Sequence, residues 1–373
     1  MNNKFLFTVI LTSLCLLIFI VKSFAQDKTE VFKVSKDGTL RLEISGGDIH
    51  VTTTDANEVK VSYDDDEYNG ITVNQDGSNV TVRSDSYIDF EITVPSDFNL
   101  NLNTSGGDIN VTKNIKGDVT INTSGGDITV MDVNGLVSVT TSGGDIKCGN
   151  IKGDAKVISS GGDIVVGSVE GECKLSTGGG NISVGHVDKK LTIATGGGNV
   201  RCGSTGGDLN IVTGGGNVSV DNVAGSMSIT TGGGNVIGLG TNKGGKVSTG
   251  SGEVNLKNVS GAIEINSGAG NVTTEFVSAG SKESKIISGY GNVTIYIPEN
   301  AKVTIEAAVK FSEGNTWTID KKEFSEIIKS DFKASSEDKR KGEYHAVYLI
   351  NGGGTNIYVQ TSIGHIEIRK LKR

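Results

Sequence analysis

The sequence predicts an all-β fold, a parallel single-stranded β-helix (β-solenoid) of 18-residue coils. Three observations predict it. A Gly-Gly-Asp-Ile or Gly-Gly-Asn-Val turn recurs with its polar residue at Asp108, Asp127, Asp145, Asp163, Asn181, Asn199, Asn217, Asn235, Glu253, Asn271 and Asn292. The first step is 19 residues, the last is 21, and every step between Asp127 and Asn271 is 18. A fixed period over so many units means stacked coils, each burying its apolar edge only against its neighbours. Apolar residues keep the same register, as in the column Ile128, Ile146, Ile164, Ile182, Val200, Val218 and in the column Val139, Val157, Leu175, Ile193, Ile211, Ile229. Finally, 54 glycines among 373 residues, with two prolines and 5% aromatics, give about twice the usual ~7% of glycine. That balance fits tight turns around a narrow Val/Ile core.

The chain opens with a pattern read as a secretory signal peptide over residues 1–25. Lys4 supplies the basic start, residues 5–21 are apolar, and Ser23-Phe24-Ala25 offers small residues for cleavage before Gln26. Leu14 ahead of Cys15 does not fit a lipidation site. No later segment is apolar enough to cross a bilayer, so no transmembrane segment is expected after cleavage. Removal of Lys4 and Lys22 leaves 33 basic against 43 acidic residues, a net charge of −10. Such a chain is not built to neutralise phosphates, and nucleic acid is excluded as a partner.

Residues 26–103 form an N-terminal β-rich region and cap. Strands are expected over 31–34, 39–44, 59–63, 71–73, 80–83 and 90–94, and the turn Ser45-Gly46-Gly47-Asp48-Ile49 already carries the marker. Residues 104–292 are the regular solenoid. In the unit from Asp127, Ile128 and Val130 alternate with Thr129 as a short strand. Val133 turns inward after a bend, and Asn134-Gly135 marks a turn. Val137, Val139 and Thr141 then alternate with Ser138 and Thr140 before Ser142-Gly143-Gly144 enters the next coil. Right-handed crossovers are the rule for parallel strands, and the same hand is expected here. The paired glycines are expected where the backbone takes positive φ or where successive turns crowd each other. Residues 293–373 hold C-terminal strands and a cap. Their charged segment, 321–341, is expected to lie over the end of the core or to form a short amphipathic helix. The marker is expected to return at Gly353-Gly354-Thr355-Asn356-Ile357.

The cysteines of the mature chain follow the period. Cys148 and Cys202 share one inward column, three coils and roughly 14 Å apart at ~4.8 Å per coil, too far for a disulfide. Cys173 sits in another inward column. All three are expected to be small core residues.

The motifs taken together resemble one known family. The Ile92-Thr93-Val94-Pro95 strand, the serial Thr-Ser-Gly-Gly-Asp-Ile coils and the closing segment 361–368 are similar to the bacterial β-strand-repeat family labelled "putative adhesin", related to the head GIN-domain proteins of Bacteroidetes. The resemblance implies an exported β-helix that binds at the cell envelope. A periplasmic, outer-membrane or cell-surface address is expected, with a glycan or a protein as partner.

Candidate functional residues are few. Asp108, Asp127, Asp145 and Asp163 would stack one strand spacing apart, a row of like charges that calcium could relieve. Against calcium, the column turns to Asn from Asn181 onward, and Asp and Asn both serve turns by accepting backbone N–H groups. The structural role is preferred, and no cofactor is expected. The cluster Asp64-Asp65-Asp66-Glu67 reads as a solvated loop. His50, His186, His345 and His365 are scattered, Trp317 is the single tryptophan, and no long loop leaves the coils before residue 271. A glycan-processing site would need paired carboxylates on such loops, and an enzyme is not expected. A self-associating structural protein is the remaining alternative.

Overall fold

The computed structural model describes residues 27–64, 70–310, 324–340 and 342–372. The signal peptide, Asp65, Asp66, Glu67, Trp317 and the first and last residues of the charged segment lie outside the described residues. The strands of the N-terminal region are β1 (Asp27–Lys33), β2 (Thr39–Gly46), β3 (Ile49–Thr54), β4 (Glu58–Asp64), β5 (Thr72–Asp76), β6 (Asn79–Tyr87), β7 (Phe90–Pro95) and β8 (Asn99–Thr104). Then come β9 (Ile109–Val111), β10 (Val119–Thr123) and β11 (Ile128–Val130), and the alternation of long and short strands continues to β28 (Ser284–Tyr290) and β29 (Val293–Ile297). The C-terminal part holds β30 (Val303–Lys310), α1 (Phe324–Ile327), β31 (Ile328–Ser330), β32 (Ser336–Arg340), β33 (Glu343–Ile350), β34 (Thr355–Ile363) and β35 (Ile366–Lys370).

Each coil contributes one strand to each of two long parallel sheets. Odd strands from β9 to β29 form sheet A, in which Ile128 pairs with Ile109 and with Ile146. Even strands from β8 to β28 form sheet B, in which Val139 pairs with Ile121 and Val157. A third column of single parallel bridges runs Ile115, Val133, Ile151, Val169, Val187, Thr205, Val223 along the bend. Mostly β-branched side chains therefore stack on three inner walls, and the columns read from the sequence are fully buried. Branched side chains suit such ladders because their χ1 is already restricted on a pleated surface.

The glycines obey crowding rather than handed backbone geometry. Where a coil passes from sheet B to sheet A, the glycine before the marker lies against the same glycine one coil away. A Cβ on Gly198 would strike the carbonyl of Gly180, whereas one on Gly197 would meet nothing. Neither has positive φ; among the described residues that conformation falls in the first coils, as at Gly47 and Gly107, and from Gly244 onward, as at Gly244 and Gly261.

The end regions extend the ladders of the regular coils, and in doing so they leave chain order. In sheet B, β2 lies between β6 and β8; in sheet A, β3 lies between β7 and β9. The first coil of the chain is thus second from the end of the stack. At the other end β34 lies between β28 and β30, and β35 between β29 and β31. Here the last coil is sandwiched by an earlier one. Antiparallel strands finish each ladder: β4 and β1 on sheet A, β5 on sheet B, and β33 and β32 beyond β30. Neither ladder closes on itself. Sheet A holds 17 strands, about 80 Å at ~4.8 Å per step.

One local expectation needs correction. The motif at Gly353–Gly354 is not the marker corner: Gly354 precedes β34 on sheet B, and the marker corner of that coil is Gly364-His365 ahead of β35. Among its described residues, segment 321–341 holds the four-residue helix α1. Its chain then joins sheet A as β31, where Ile327 and Ile328 are buried, and returns to sheet B as β32. Strands β3 and β8, not expected as such, complete the first coils.

Candidate functional site: the outer faces of the solenoid

The marker column is a hydrogen-bond ladder. From Asp108 to Glu253 the backbone N–H of each marker residue donates to Oδ1 of the residue one coil away: Asp127 to Asp108 at 2.8 Å, Asp145 to Asp127 and Asp163 to Asp145 at 2.7 Å, and Asn199 to Asn181 at 2.9 Å. The ladder follows the stack and not the chain, running from Asp89 to Asp48 to Asp108 at one end and from Asn292 to His365 at the other. The four candidate aspartates are brought into one row as expected, each with one carboxylate oxygen already engaged. Among the described residues no group of three or more His, Cys, Asp and Glu converges as a metal site.

A second ladder, not assigned a role from sequence, lies just inside the first. Thr141, Ser159, Thr177, Thr195, Thr213, Thr231, Thr249 and Ser267 are buried at the end of the sheet B strands. Thr213 Oγ1 donates to the Gly198 carbonyl at 2.9 Å and accepts from Gly216 N–H at 3.2 Å. A hydroxyl bridges the tight corner that glycine leaves without side chains, so these buried polar groups are satisfied. The available signal was an inward Thr or Ser at every 18th position. Thr205, in the bend column between Val187 and Val223, is equally buried, but its Oγ1 has no partner.

The three cysteines occupy the inward columns expected, are free, and are buried. Burial pushes their thiols up to about 12. They are therefore protonated and unreactive at neutral pH.

One Asp-His-Ser series exists at the bend. His186 Nδ1 lies 2.7 Å from Ser204 Oγ, and His186 Nε2 lies 2.8 Å from Asp188 Oδ1. Both ends of the His-Asp pair are about half exposed, at 48% and 51%. Beside the series, Gly185 N–H donates to the Val166 carbonyl and Gly203 N–H to the Val184 carbonyl. The series closes a polar corner.

Two open grooves follow the stack. Over sheet B, a groove of about 630 Å³ is floored by Thr120, Ser138, Lys156, Lys174 and Thr192 and walled by Asp118, Asp154 and Glu172. Over sheet A, a groove of about 650 Å³ is floored by Val165, Ser183, Arg201, Ser219 and Ile237 and walled by Asp163, Asn181, Asn199, Asn217 and Asn235. Both repeat one polar side chain per strand spacing.

Comparison with known proteins bears out the family reading. Residues 38–202 match the family described as Toastrack DUF4097. No curated protein matches the sequence. Among solved structures, a "putative adhesin" from Parabacteroides distasonis is 12% identical, covering 68% of this chain and 98% of its own, with a TM-score of 0.31. A "putative adhesin" from Parabacteroides merdae is 11% identical over 65% of this chain and 97% of its own, TM-score 0.29. A "putative lipid binding protein" from Parabacteroides distasonis is 16% identical over 65% and 97%, TM-score 0.34. At these values the likeness carries no ligand to this chain.

Proposed function

We propose that this chain, with its Toastrack segment, is a non-catalytic binding protein of the cell envelope that holds a glycan or protein ligand along the outer faces of its solenoid. The observation that carries this reading is the pair of grooves over sheets A and B, where side chains repeat at each strand step on a rigid floor. Repetition suits a repetitive ligand, because each added unit meets another set of donors at no further cost in association entropy. The signal-like start supports export. Among the described residues no helix is long and apolar enough to cross a membrane.

Protease added to intact cells tests the address. Cleavage of the chain while a periplasmic control survives is the expected outcome for a surface-exposed solenoid. Full protection until the outer membrane is permeabilised would remove the adhesin-like role and move the search to partners inside the envelope.

A further inference from the structure

The change from Asp to Asn along the marker column is not explained by the fold. Oδ1 accepts the neighbouring N–H equally well from either residue, at 2.7 Å from Asp145 and at 2.9 Å from Asn199. What differs is the second atom, a charged oxygen in Asp and an N–H donor in Asn. The neutral run is Asn181, Asn199, Asn217 and Asn235, bounded by Asp163 and Glu253. It forms one wall of the sheet A groove.

The floor of that groove is ordered around a single cation. Ladder pairing places Val165, Ser183, Arg201, Ser219 and Ile237 on successive rungs, so Arg201 is flanked by one hydroxyl and then one aliphatic side chain on each side. Arg201 is exposed, and it has no ion pair or hydrogen bond to any described residue. Carboxylates withdraw from the wall over the coils that surround this guanidinium. The amides of Asn181 and Asn199 reach along the wall at 3.3 and 3.2 Å. Those of Asn217 and Asn235 donate to nothing within the described protein.

We propose that this groove is a binding site for an anionic sugar chain, with Arg201 taking its carboxylate or sulfate and the asparagine amides and Ser183 and Ser219 taking its hydroxyls. A planar guanidinium suits either anion through two parallel hydrogen bonds. An acidic peptide fits less well. Along the stack it would run across strands whose backbone groups are already paired, leaving its own amides to water; a sugar chain carries no such groups. The proposal rests on the ligand-binding reading above and names its ligand class.

The test uses the whole purified chain and three probes: a short oligogalacturonate, its methyl ester, and a sulfated dextran oligosaccharide, each titrated by calorimetry. The acid or the sulfate is expected to bind and the ester not, and the stronger of the two identifies the anion. Arg201→Gln should weaken binding by about tenfold or more. Asn217→Asp should also weaken it while leaving the melting temperature unchanged, because aspartate supports the ladder elsewhere in the same column. Equal binding of acid and ester, unchanged affinity in Arg201→Gln, or no binding of either anion would overturn the site. None of those results bears on the protease accessibility that tests the envelope address, so the two readings fail separately.

Discussion

Two threonines with the same burial make opposite contributions. Thr213 bridges a glycine corner through two hydrogen bonds, and Thr205 faces the bend column with an unsatisfied hydroxyl. Losing the first leaves a buried carbonyl and N–H without partners, whereas losing the second removes only a penalty. Thr213→Val is therefore expected to destabilise the protein by about 2 kcal/mol, and Thr205→Val to stabilise it by about 1 kcal/mol. Denaturant unfolding of the two variants checks both signs; equal effects would refute the assignment of the inner ladder. The sequence made the column positions legible, because an 18-residue period places every inward residue by arithmetic. The same period places Thr213 in a column of Thr and Ser and Thr205 in a column of Val and Ile. What it does not give is the bonding of the Thr213 hydroxyl, which depends on the proximity of Gly198 and Gly216. The stacked aspartates each accept a backbone N–H, the role the sequence reading preferred for them.

At the scale of elements, the segment between β7 and β8 carries the chain from the outermost full coil past the one beside it. Asp97 anchors this crossing between Lys36 and Lys116, each at 3.0 Å. Hydrogen bonds from Lys116 and Lys36 hold the Asp97 carboxyl down at about 2, against an ordinary value of 3.8. The folded value is lowered, so the contribution to stability is fully present above about pH 4 and is lost as pH falls through about 2. Asp97→Asn should therefore melt below the parent chain at neutral pH, with the gap closing as pH falls to about 2. Melting curves across that range test it, and a gap independent of pH would place the effect elsewhere. The crossing was not legible in the sequence. Pro95 marked the end of a strand, but no local pattern says that the next strand skips a coil.

For the whole molecule, the regular coils could be read almost completely and the two ends only as strand-rich. Nearest-neighbour stacking explains the difference: a coil that pairs with its sequence neighbour declares itself by period, and one that pairs out of order does not. His365, standing where the column otherwise has Asp, Asn or Glu, was invisible for the same reason. The arrangement predicts unequal effects of trimming. Removal of residues 364–373 takes out β35 and leaves β29 and β31 without their shared neighbour. Removal of 27–33 takes only β1, which pairs with β4 alone. The first deletion is expected to abolish cooperative folding of the C-terminal coils, and the second to lower the melting temperature by a few degrees. Comparable losses from both would argue against the interleaved order.

The sandwiched last coil also changes how the molecule meets force. A terminal strand at the rim of a sheet peels away one hydrogen bond at a time. Here tension on the C-terminus bears on β35, which is clasped by a parallel strand on each side. The load falls in shear on two rows of bonds together, so the chain resists traction at its end as a stitched hem resists fraying.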